Sequence, residues 1–99
     1  MPQIIKSPQA EEDLVNIWLY IAQDSLENAD RFIQYLEDRF LLLAENPLMG
    51  QQYPELGKNL RGFVITKNYT AFYQPLSAGD GIEIVHVLNA ALEREKHFP

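Results

Sequence analysis

Two stripes of apolar residues at helical spacing, joined by only a few polar residues, constrain this chain more than any other feature. In the first, Ala10, Leu14, Ile17, Trp18 and Ile21 recur so that they fall on one face of a helix. Its start is marked. Ser7 can cap, Pro8 fits the first helical position, and Glu11, Glu12 and Asp13 set negative charge near the positive end of the helix dipole. This helix should run to about Gln23, where Asp24-Ser25 ends it and Ser25 can cap the next. The second stripe is Ala29, Phe32, Ile33, Leu36, Phe40, Leu43 and Ala44, with Asp30, Arg31, Gln34, Glu37 and Asp38 pointing the other way. It stops before Asn46-Pro47, because a residue preceding proline avoids the α conformation. With so short a connection, the two helices form an antiparallel hairpin.

The period then changes. Gln3 to Lys6 is a short extended piece before the first helix, and residues 46–59, with two prolines and two glycines, read as a loop. From Leu60 the alternation is two: Arg61, Phe63 and Ile65 against Leu60, Val64 and Thr66. Lys67-Asn68 is a tight turn, Tyr69 to Gln74 the next strand, and Ser77 to Gly81 a second turn. Pro75 fits only a sheet edge or a strand end. Ile82 to Leu88 is the last strand, with Ile82, Ile84, His86 and Leu88 against Glu83, Val85 and Val87. From Ala90 the residues allow a short terminal helix closed by Phe98. The expected architecture is therefore α+β: an N-terminal strand, a helical hairpin, and a three-stranded antiparallel meander with both helices on one sheet face. Residues 1–99 are expected to make one domain, and the second sheet face is left for the C-terminal segment or a partner.

Charge narrows the functions open to such a domain. The net charge is −6, and residues 1–50 hold nine acidic and three basic side chains against five of each in 51–99. That balance argues against sequence-blind binding to a phosphate backbone, which depends on many Lys and Arg contacts. Between Leu56 and Gly79, however, Lys58, Arg61 and Lys67 face no acidic neighbour in sequence. The absence of cysteine excludes disulfides and thiolate chemistry and suits a reducing compartment. No run approaches the ~20 apolar residues of a membrane span and no leader-like block opens the chain, so a cytoplasmic protein is expected.

Few residues carry chemistry. Two histidines, His86 and His97, without cysteine give no metal spacing, and no cofactor is expected. Gly79 and Gly81 read as turn residues rather than a phosphate loop, and the serines at 7, 25 and 77 as caps and turns. His86 reads as a hydrogen-bonded core or sheet-face histidine. Trp18, Tyr20 and Tyr35 read as packing aromatics. Tyr69 and Tyr73 share one strand face, either as sheet packing or as a stacking platform for bases. Arg61 begins a strand beside Lys58 and Gly62; its guanidinium is either a clamp for phosphate or carboxylate or a solvated strand-end charge.

The wording of the sequence adds to its periods. Ala10, Asp13, Leu14, Ile17, Trp18, Tyr20 and Ile21, then Asn46-Pro47-x-x-Gly50, then Leu60-Arg61, resemble the RelE/ParE superfamily of bacterial toxins in the right order over nearly the whole chain. The Ile-Trp-x-Tyr helix resembles the ParE branch. The resemblance implies the toxin half of a type II toxin–antitoxin pair, a ParE-like inhibitor of DNA gyrase that stabilises plasmids. It implies a ParD-like antitoxin as partner in a hetero-oligomer, with no sequence-specific nucleic-acid binding. The alternatives are a RelE-like ribosome-dependent messenger endonuclease and a non-toxic antitoxin-binding relative. For the endonuclease only Arg61 matches the superfamily's catalytic cations. Phe72-Tyr73 is followed by Gln74 where an arginine is usual, and Val87-Leu88 by Asn89 where a histidine is usual. Contact candidates for antitoxin or target are Arg61, Tyr73, Asn89, Arg94, Lys96 and Phe98.

Overall fold

The structure, a computed structural model, describes residues 2–89. Strand β1 (Gln3–Lys6) leads into helices α1 (Pro8–Ala22) and α2 (Leu26–Glu45). Four strands follow: β2 (Gln51–Gln52), β3 (Arg61–Thr66), β4 (Tyr69–Pro75) and β5 (Gly81–Asn89). They form one sheet in the order β1-β5-β4-β3-β2, antiparallel except that β1 runs parallel to β5. The α+β class, the hairpin and the meander are as the pattern predicts. The terminal helix, with Arg94, Lys96 and Phe98, lies outside the described residues.

Local chemistry sets the helix ends. Ser7 Oγ accepts from the Ala10 N–H at 3.0 Å, and Ser25 Oγ accepts from Asn28 N–H at 3.1 Å. Each bond satisfies one of the donors that a helix start leaves without a partner. Asn46 closes α2 through its own N–H to Leu42 and Leu43 carbonyls, just ahead of Pro47.

The helices cover one face of the sheet. Ala10, Ile17, Leu36, Phe40 and Leu43 meet Ile65, Ala71, Tyr73, Ile82, Ile84 and Val87 in the main core. Each of the larger aliphatic and aromatic side chains buried there contributes about 1.5–3 kcal/mol by leaving water. The opposite face is smaller: Leu60, Phe72 and Leu88, covered by Tyr53, Leu56 and Val85. The loop after α2 thus folds back over part of this face; the C-terminal segment expected there lies outside the described residues.

Three expectations are corrected. Gln51 and Gln52 pair with Arg61 and Gly62 as an edge strand inside what reads as loop; two exposed glutamines carry no apolar alternation to reveal it. The strict alternation of β5 breaks at a bulge, since Phe72 faces His86 while Tyr73 faces Ile84. Val85 is the extra residue, so Val87 rejoins Ile82 and Ile84 on the helix side instead of opposing them. Tyr20 is not a packing residue, being 69% exposed. Trp18 does bridge the hairpin: its indole N–H donates to Asp30 Oδ1 at 2.8 Å.

Candidate functional site

The turn that leaves α2 is held by two residues from the middle of the sheet. Arg61 and Tyr73 sit directly opposite each other across the β3–β4 ladder. The Tyr73 hydroxyl donates to the Pro47 carbonyl and accepts from the Gly50 N–H, both at 2.8 Å. Arg61 Nη1 donates to the Leu48 carbonyl at 3.1 Å and the Gly50 carbonyl at 2.7 Å. Four polar groups of the 47–50 turn are therefore satisfied by one cross-strand pair. Gly50 belongs to this device: a Cβ there would lie 2.6 Å from the fully buried Tyr73 hydroxyl.

Arg61 is thus not a freely solvated strand-end charge. It is a charged clamp on backbone carbonyls, with the rest of its guanidinium facing a cleft. That cleft, of about 470 Å³, is walled by Leu48, Pro54, Pro75 and Leu76 and carries Lys58, Asn59 and Arg61. Among the described residues no acidic side chain lines it. Asn59 adopts φ +63°, a left-handed conformation that asparagine tolerates better than most residues.

Tyr73, the strand-face candidate, is fully buried with its hydroxyl engaged inside the protein. Burial pushes its phenol above the ordinary tyrosine range, while the Gly50 N–H and the Arg61 charge pull it down in smaller measure. The consequence has a definite sign. An unfolded tyrosine gives up its proton near pH 10, before the folded one does, so ionisation favours unfolding there. Stability from this group is complete below about pH 10 and is lost as pH rises toward the higher folded value. Urea midpoints measured from pH 8 to 11 should fall more steeply for the wild type than for Tyr73→Phe. The variant itself should lose about 1–3 kcal/mol at neutral pH, because the Gly50 N–H keeps no acceptor. Parallel pH profiles would refute the assignment.

A second cleft, of about 490 Å³, lies between α1 and the β3–β4 turn, with Asp13, Asn16, Tyr20 and Asn68 on its walls. Asp13, on its wall, also meets His86, Oδ2 to Nδ1 at 3.2 Å. The same Oδ2 accepts from Val87 N–H at 3.0 Å, and Oδ1 from Gln9 Nε2 at 3.0 Å. His86 is thereby the hydrogen-bonded histidine its strand position suggests. Asp13, read from the sequence as a dipole charge and as one residue of the helix motif, is buried; its partners on β5 lie more than 70 residues away, so nothing local announces them.

The structure brings Arg61 and Tyr73 together and places Asn89 at the end of β5 opposite Tyr69. Lys58 and Asn59, which share the Arg61 cleft, were not among the sequence candidates; the acid-free stretch around Lys58 was the available signal. Among the described residues there is no cluster of three metal-ligating side chains, and no helix is long and apolar enough to cross a membrane.

Comparison with known proteins places the fold. The family model described as the ParE toxin of type II toxin–antitoxin systems, parDE, matches residues 4–92. A solved structure described as a chromosomal ParDE TA system from P. aeruginosa is similar, with a TM-score of 0.70 and 19% identity. The match covers 90% of this chain and 96% of that one, and at this identity it speaks for the fold. No curated protein matches.

Proposed function

The chain belongs to the ParE toxin family of type II toxin–antitoxin systems, and we propose that it arrests growth by binding and inhibiting DNA gyrase until a ParD-like antitoxin neutralises it. The observation that carries a binding rather than a cleaving role is the clamp itself. Arg61, the one cation that matches a nuclease constellation, has Nη1 committed to the Leu48 and Gly50 carbonyls. The tyrosine beside it has its hydroxyl committed to Pro47 and Gly50. Phosphodiester cleavage by general acid–base catalysis needs a proton-transferring group within hydrogen-bond reach of the reacting oxygen. His86 is held instead by Asp13 and is not among the residues that line the Arg61 cleft.

Inhibition by occupancy requires only a stable surface, which the welded turn and the two-sided core supply. The antitoxin would act as such partners do, ordering a segment on the toxin as it binds.

Purified protein at micromolar concentration is expected to leave gyrase unable to supercoil relaxed plasmid, with full activity returning when the antitoxin is added. Induced alone in cells it should stop growth with messenger RNA intact. Codon-phased cuts in translated messages would establish the endonuclease instead, and unimpeded growth would leave only the antitoxin-binding role.

A further inference from the structure

A protein of net charge −6 carries a cleft whose described lining residues include Lys58 and Arg61 and no acid, and the turn clamp uses only part of it. Arg61 contributes Nη1 to the clamp; among the described residues its Nε and Nη2 hydrogens take no protein acceptor. Lys58, exposed and also lining the cleft, makes no ion pair or hydrogen bond among them either. The two carbonyls already fix the guanidinium, so little side-chain freedom is lost when an anion arrives.

The remaining lining selects the kind of anion. Leu48, 70% exposed, forms a ridge between this cleft and a smaller apolar shelf with Pro47 and Met49. Among the described residues no aromatic ring lines the cleft, so bases find no stacking platform there. Beside the cleft, β2 pairs only with β3, which leaves one side of Gln51–Gln52 open to an added strand.

We infer that this cleft is a receptor for an extended peptide segment bearing carboxylates between aliphatic residues, its acids on Lys58 and Arg61 and its aliphatic side chains against Leu48 and Leu76. On the reading of the protein as an antitoxin-bound toxin, that segment belongs to the antitoxin. The inference rests on that reading only for the identity of the partner.

The test uses the full chain, isotopically labelled, with an acetylated and amidated pentapeptide alternating leucine and glutamate as probe. Amide shifts should move at Gln52, Lys58, Asn59, Arg61, Leu76 and Ser77. Lys58→Glu should weaken binding about tenfold or more, Lys58→Arg should restore it, and added salt should weaken it in the wild type. Shifts elsewhere, or indifference to Lys58→Glu, overturn the site, as does inorganic pyrophosphate binding there more tightly than the peptide. Co-purification with the product of the adjacent short reading frame separates the two levels. A complex that forms and ignores Lys58→Glu sinks the cleft alone; a wild-type protein that captures nothing sinks the antitoxin reading, while the peptide titration still decides the cleft.

Discussion

Gly81→Ala is expected to lose about 3–5 kcal/mol of stability, whereas Gly79→Ala, two residues earlier, loses about 1 kcal/mol. Both glycines have positive φ, +126° and +82°, so both variants carry the backbone strain that a Cβ brings. They differ in what the Cβ meets. At Gly79 nothing lies within 4 Å. At Gly81 the new atom would overlap the Gln3 carbonyl oxygen and lie 2.6 Å from Gln3 N. These are backbone atoms of β1, which pairs with β5 in the register Gln3 to Gly81, so no side-chain rotation relieves the clash. Prying β1 away also withdraws Ser7, whose N–H donates to Ile84 and whose hydroxyl donates to Val85. Urea denaturation of the two variants checks the difference; equal losses would mean that β1 yields without penalty.

Gly81 also shows where reading from sequence stops. As a residue in a turn it is legible, because Ser77 to Gly81 has turn composition. Its close approach to Gln3 is not, because that depends on a parallel strand 78 positions away in sequence. The same division runs through the molecule. Ser7, Ser25 and Asn46-Pro47 set helix ends by chemistry between near neighbours, so both helices could be placed within a residue or two. The bulge at Val85 inverts the face of Val87 with no change in composition. At the site, Arg61 and the Asn46-Pro47-x-x-Gly50 turn were both visible as words, but nothing local says that one holds the other. What distinguishes a clamp on carbonyls from a clamp on a ligand is the fold of an intervening loop.

Asp13→Ala should be the most damaging change at a polar side chain, at about 3 kcal/mol, and Asp13→Asn should cost about 1. Strand β1 ends at Lys6, opposite Ile84, so from Val85 onward β5 has no strand on that flank among the described residues. Helix α1 supplies the missing partners: Ser7 takes up Val85 O, and Asp13 Oδ2 takes up Val87 N–H in a buried bond. An alanine at 13 would leave that N–H without an acceptor, strand the Gln9 amide and remove the carboxylate from His86. Asparagine keeps an acceptor for Val87, loses the charge toward His86, and turns a donor toward Gln9, whose amide must rotate to accept from it. A structural cap of this kind has a local signature. In Asp13→Ala the Val87 amide should exchange with solvent at least about tenfold faster than global destabilisation explains, while the Ala71 and Thr70 amides of β4 follow the global change. If Val87 stays as protected as its neighbours, Asp13 serves only the histidine. The capped edge matters beyond stability, because an unpaired run from Val85 to Asn89 would invite strand addition from any extended chain. With that flank covered through Val87, the edges open to a partner's extended segment among the described residues are the outer side of β1 and the two residues Gln51–Gln52, the latter beside the cationic cleft.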